Sequence, residues 1–160
     1  MRWIWIDRFT AFESGKTATA VKCLSQAEDQ FGEHFPGFPV MPAPLILEGL
    51  AQTGGILVGE ANQFREKVVL AKVPTAKFYR EAGPGETLTY TADLIDLRPE
   101  GAVVRGRVTS GGAPVADAEI FFAHLDQNRS RQVFGDENFV FGGELKYLLG
   151  LAQRAGAKPD

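Results

Sequence analysis

The sequence predicts an α+β domain in which an antiparallel β-sheet wraps around one long helix. Three observations lead to this expectation. Runs of β-branched and aromatic residues, separated by short glycine and proline turns, recur through residues 1–125. One segment of helical length, Pro44 to Glu60, is apolar on every face rather than along one stripe. Such a helix must be buried on nearly all sides. Finally, the last strand-like runs are joined by turns too short for a crossover, so neighbouring strands must run antiparallel.

In chain order, Trp3 to Phe12 reads as a strand, and Ser14-Gly15-Lys16 turns it into a second, Thr17 to Leu24. The helix follows as PLILEGLAQTGGILVGE, with Pro44 at its first position, where a fixed φ fits and a missing N–H costs nothing. Gly49, Gly54, Gly55 and Gly59 lower its intrinsic propensity, so packing must hold it. A strand over Ala71 to Tyr79 precedes the turn Pro84-Gly85-Glu86, and another covers Thr87 to Leu97. Arg98-Pro99-Glu100-Gly101 and Ser110-Gly111-Gly112 then separate Val103–Thr109 from Val115–Leu125. Residues 126–160 read as a C-terminal extension, polar around Arg129 and Arg131. A short amphipathic helix is expected there from Glu144 to Ala155, with Leu145, Leu148, Leu149 and Ala152 at i, i+3, i+4, i+7. Its apolar face needs the parent core or a partner subunit to lie against.

Composition removes several function classes. Seventeen basic against 20 acidic side chains give a net charge of −3, which leaves no broad basic face for nucleic acid. The single cysteine, Cys23, excludes an internal disulfide and a multi-thiolate zinc site, and is expected to be a small buried residue. Only His34 and His124 offer imidazole, too little for a histidine metal cluster. The apolar start breaks at Asp7-Arg8, too early for a secretory segment, and Glu48 interrupts the longest greasy stretch. A soluble protein of a reducing compartment, the cytoplasm, without a membrane span is the expectation.

The informative stretch is HFPGFPVMPAPLILEGLAQTGG, His34 to Gly55. It sets an imidazole in a loop stiffened by Pro36, Pro39 and Pro42, and a carboxyl group at the fifth residue of the helix. Between them lies a helix N-terminus, which favours negative charge. Imidazole exchanges protons near neutrality, making His34 a candidate base. Apolar surroundings disfavour an ionised carboxyl, making Glu48 a candidate proton donor. Gln52, one helical turn on, is placed to hydrogen-bond Glu48. Phe31, Phe35 and Phe38 either line a tunnel beside this loop or pack the loop itself, and His124 reads as structural.

This stretch resembles the signature of the FabZ-type 3-hydroxyacyl-[acyl-carrier-protein] dehydratases. His34-Phe35-Pro36-Gly37, Pro39, Met41-Pro42, Leu45, Glu48 and Ala51-Gln52 carry the resemblance, as does the His-to-acid spacing of 48 − 34 = 14. It extends from about Arg2 to Leu125. It implies a hotdog fold over 1–125, a homodimer or larger assembly, an acyl carrier protein as partner, and no metal or organic cofactor. It further implies that His34 takes a proton from C2 of the acyl chain and Glu48 protonates the departing C3 hydroxyl. Gly37, Ala43, Pro44 and Gln52 would then adjoin the substrate. One departure concerns the helix start, where the family usually has Gly-Val and this chain has Ala43-Pro44. Ala43 keeps an N–H for a thioester oxygen, whereas Pro44 has none. Two alternatives share the fold: an acyl thioesterase, and a non-catalytic acyl-binding or scaffold protein.

Overall fold

The computed structural model describes residues 3–125 and 147–150. Its order is β1 (Arg8–Glu13), β2 (Thr17–Cys23), α1 (Asp29–Glu33), α2 (Ala43–Ala61), β3 (Lys67–Phe78), β4 (Thr87–Arg98), β5 (Gly101–Ser110) and β6 (Ala113–Leu125). The strands form one six-stranded antiparallel sheet, ordered β1-β2-β4-β5-β6-β3. Period-two alternation turns one set of side chains inward. Leu88, Tyr90 and Ala92 from β4, Val104 and Val108 from β5, and Ala118, Ile120 and Phe122 from β6 meet Leu50, Ile56, Leu57 and Val58 of α2 in one core. This is the sheet-around-helix arrangement of a hotdog fold. At the β5–β6 hairpin, Ser110 pairs with Ala113 and both turn residues have positive φ (Gly111 +58°, Gly112 +81°), which glycine adopts without strain.

Four elements differ from the sequence reading. The strand expected from Trp3 begins only at Arg8. Trp5 gives its N–H to the Gln52 side chain at 2.9 Å instead of to a neighbouring strand, so residues 3–6 form a strap across α2. Gly49 makes room for the strap, because a Cβ there would lie 2.9 Å from the Trp5 carbonyl oxygen and 2.6 Å from Cζ of Tyr90. Next, β3 starts at Lys67 rather than Ala71, since Val68 and Val69 pair with His124 and Ala123 at the end of β6. The single turn α1 was not anticipated, being too short to show a helical period. Last, Cys23 is exposed rather than buried.

That last correction follows from strand parity. Ala18, Ala20 and Lys22 face inward from β2, which sends Cys23 outward. Burying Lys22 is tolerable because its ammonium donates to Glu28, to Asp7 at 3.3 Å and to the Cys23 carbonyl at 3.2 Å. Of the expected C-terminal helix, residues 147–150 are helical, with Leu149 buried in the core cluster. The rest of the extension, including Arg129 and Arg131, lies outside the described residues. Among the described residues, no helix is long and apolar enough to cross a membrane.

Candidate active site

The loop between α1 and α2 carries His34. Its backbone N–H bonds the Gln30 carbonyl at 3.1 Å, closing the end of α1. Phe35 and Phe38 exchange N–H···O bonds of 3.0 and 2.9 Å around Pro36-Gly37, and Gly37 supplies the positive φ of +79° that this turn needs. The turn folds the chain back so that Val40 N–H reaches the His34 carbonyl at 2.9 Å. In return, the imidazole Nδ1 lies 3.1 Å from the Val40 carbonyl oxygen. A carbonyl only accepts, so Nδ1 carries the hydrogen, and in the neutral ring the lone pair is on Nε2. The ring also stacks on Phe35, centroids 4.1 Å apart. Phe31 packs into the core, while Phe35 and Phe38 are 53% and 61% exposed.

Glu48 sits on the second turn of α2 and is half-buried, less enclosed than a helix apolar on all faces led one to expect. Its Oε1 accepts a hydrogen bond from Gln52 Nε2 at 3.0 Å, the pairing anticipated from their spacing. Gln52 is itself fixed on both ends. Its Oε1 accepts from Trp5 N–H, and its Nε2 also donates to the Trp3 carbonyl at 3.1 Å. Because the Trp5 N–H can only donate, the amide orientation is determined, and Gln52 must present N–H to Glu48. The strap was the missed component here: nothing in the amino-acid pattern singles out Trp3 and Trp5 as amide-binding backbone.

At the start of α2, Leu45 and Ile46 both give their N–H to the Pro42 carbonyl (2.9 and 3.2 Å), and Pro44 has none. Ala43 N–H therefore stands without an acceptor among the described residues. Within the chain, no hydrogen bond or ion pair among the described residues joins His34 to Glu48. Among the described residues, no group of three or more His, Cys, Asp or Glu side chains gathers as a metal-ligand set.

A second turn braces the His34 loop. Met41 N–H donates to the Ala82 carbonyl at 2.7 Å. Below it, Glu86 accepts from Arg80 (3.2 and 2.7 Å), Gly83 N–H (3.0 Å) and Ser110 Oγ (2.7 Å). The Arg80 guanidinium, foremost among these donors, holds the Glu86 carboxyl down at about 2.

Residues 3–119 match the FabA-like domain family. A 3-hydroxyacyl-[acyl-carrier-protein] dehydratase FabZ from Listeria monocytogenes serotype 4b is 38% identical over 122 residues, spanning 76% of this chain and 85% of that protein. The chain belongs to the FabZ dehydratase family. Solved structures extend the likeness to shape. The dehydratase heterocomplex ApeI:P of Xenorhabdus doucetiae superposes with a TM-score of 0.65 at 12% identity, covering 84% of this FabZ-family chain and 91% of that one. A hypothetical thioesterase from Streptococcus pneumoniae, solved with coenzyme A, gives 0.62 at 10% identity, covering 75% and 86%. At those identities the likeness establishes the hotdog fold alone.

Proposed function

We propose that this protein is a hydro-lyase that dehydrates 3-hydroxyacyl-[acyl-carrier-protein] thioesters to trans-2-enoyl thioesters, in fatty-acid or related lipid synthesis. The observation that carries this reading is the tautomer of His34. With Nδ1–H committed to Val40, Nε2 is available to accept the acidic C2 proton next to the thioester carbonyl. As the C2–H electron pair becomes the C2–C3 double bond, the C3–O bond breaks and Glu48 delivers its proton to the leaving hydroxyl, giving water. Gln52 occupies Oε1 of Glu48, so the transferable proton belongs on Oε2. Solvent then returns the proton held by His34 to Glu48, and both side chains are reset. Negative charge developing on the thioester oxygen is met by the Ala43 N–H at the positive end of α2. Gly37 and Pro44 shape the backbone against the acyl thioester, and the chemistry uses no metal or organic cofactor.

The same reading pairs His34 of one subunit with Glu48 of the partner subunit in a homodimer. Two features support it. The edge strand β3 leaves Leu70 and Phe78 exposed, a surface suited to another chain. The first turns of α2 leave Leu45 and Leu47 only partly covered. An acyl carrier protein in the cytoplasm would bring the substrate.

The deciding experiment incubates purified protein with a 3-hydroxyacyl carrier thioester and follows the enoyl thioester. Enoyl product, abolished by His34→Ala without loss of folding, supports dehydration. Release of free thiol with no enoyl product would replace it with the hydrolase reading, and tight binding with neither product with the scaffold reading.

A further inference from the structure

We propose that Glu86 is a positioning residue for His34, acting through the turn at residues 80–86. The inference rests on His34 as the base.

The path runs through hydrogen bonds joined by single steps of backbone, Gly83 to Ala82 and Met41 to Val40. Glu86 Oε1 accepts from Gly83 N–H and Arg80 Nη1, and Oε2 accepts from Arg80 Nη2 and Ser110 Oγ. Four donors on one carboxylate draw together the turn, the end of β5 and the segment leaving β3. The backbone adds to this: Gly85 N–H donates to the Leu24 carbonyl and Leu24 N–H to the Glu86 carbonyl, both at 2.9 Å. The turn is thereby tied to the end of β2 as well. Its inner side, Ala82, is buried and receives Met41 N–H at 2.7 Å. A Cβ on Gly83 would approach the Pro39 carbonyl oxygen to 3.1 Å, so the turn also packs closely against the residue before Val40. Val40 lies between these two contacts, and its carbonyl sets the ring plane and tautomer of His34. Glu86 touches neither the imidazole nor the reacting atoms. It fixes the position of the carbonyl that orients the base.

The geometry predicts a rate effect with its own signature. Removing the carboxylate frees Gly83 and lets the loop shift, and displacement of a reacting group by about 1 Å costs up to about 100-fold in rate. In Glu86→Ala, kcat should fall about 10- to 100-fold with KM little changed. The Met41 amide should exchange faster, and the ¹⁵N shifts of His34 should move toward a mixture of tautomers. Glu86→Gln keeps an acceptor for Gly83 and should recover part of the rate. If Glu86→Ala does not fold, Ser110→Ala and Arg80→Gln, which each remove one side of the clamp, should show the same two spectroscopic changes at smaller size. Wild-type kcat, Met41 exchange and His34 shifts in the folded variants would overturn the inference. The underlying reading fails separately, through retained turnover in His34→Ala.

Discussion

Helix α2 is two different objects joined at residue 49. From Gly49 to Gly59 every residue is buried, whereas between Ala43 and Glu48 only Ile46 is. Apart from Gln52, which bonds Glu48, the rear section is core: uncharged, packed against the sheet, and dependent on packing. The front section is half-covered, begins with two prolines flanking Ala43, and carries the carboxyl group. What this difference teaches is that one helix can stabilise the fold with one end and, on the proposed reading, present chemistry with the other. Substitutions on either side of residue 49 should therefore separate activity from stability.

The largest separation is expected at Glu48. Glu48→Gln keeps the side-chain shape but cannot donate the proton, so turnover should fall about 10²–10⁴-fold. Its melting temperature should stay near wild type, because the group is only half-buried. A parallel drop in melting temperature and rate would erase the distinction between the two sections. Next comes Ile56→Ala, where a side chain with no solvent exposure is truncated. Urea unfolding should show a loss of about 2–5 kcal/mol, while the folded fraction retains its turnover per site. At the junction, Gly49→Ala should mix the two effects. The new methyl would collide with the Tyr90 ring and the Trp5 carbonyl, costing about 1–3 kcal/mol. It would also push on the strap that holds Gln52, and so lower turnover. A change in stability alone would show that the strap does not transmit to Glu48.

The same contrast explains which features were legible in the sequence. The rear of α2 was readable because an unbroken apolar run at helical length has few other uses, and Pro44 marked its start. The strands were readable as β-branched and aromatic runs between turns, as over Thr87 to Leu97. The strap was not readable. Trp3 to Ile6 has strand composition whether its N–H groups bond a strand or the Gln52 amide, and only the tertiary position of α2 decides between them. The exposure of Cys23 was not readable either, because alternation says that neighbours differ without saying which one faces in. The inward choice of Lys22 becomes reasonable only once Asp7 and Glu28 stand beside it. In the proposed site, His34 and Glu48 come from the motif, and the spacing of Glu48 and Gln52 made their hydrogen bond visible in advance. Glu86 was not, since an acid in a proline-glycine turn looks like any solvated turn residue until Arg80 and Ser110 are seen to converge on it.

The smallest expected effect concerns that clamp and sharpens the contrast through pH. Glu86 has its folded-state carboxyl at about 2, below the ordinary 4.5, so the folded protein holds its proton less readily than the unfolded chain. The sign follows: its contribution to stability is fully present above about 4.5 and is lost as pH falls toward about 2. Side chains of both Arg80 and Glu86 are about one-third exposed (35% and 31%), so solvent screening keeps the contribution modest. Acid should consequently loosen the loop in front of α2 before it affects the core behind. Amide exchange followed from pH 5 downward should show Met41 losing protection earlier than Ile56 and Leu57. In Glu86→Gln this early loss should be absent, because no proton is taken up at residue 86. Simultaneous loss of protection at all three amides in the wild type would mean that loop and core open as one unit, and that the clamp does not act locally.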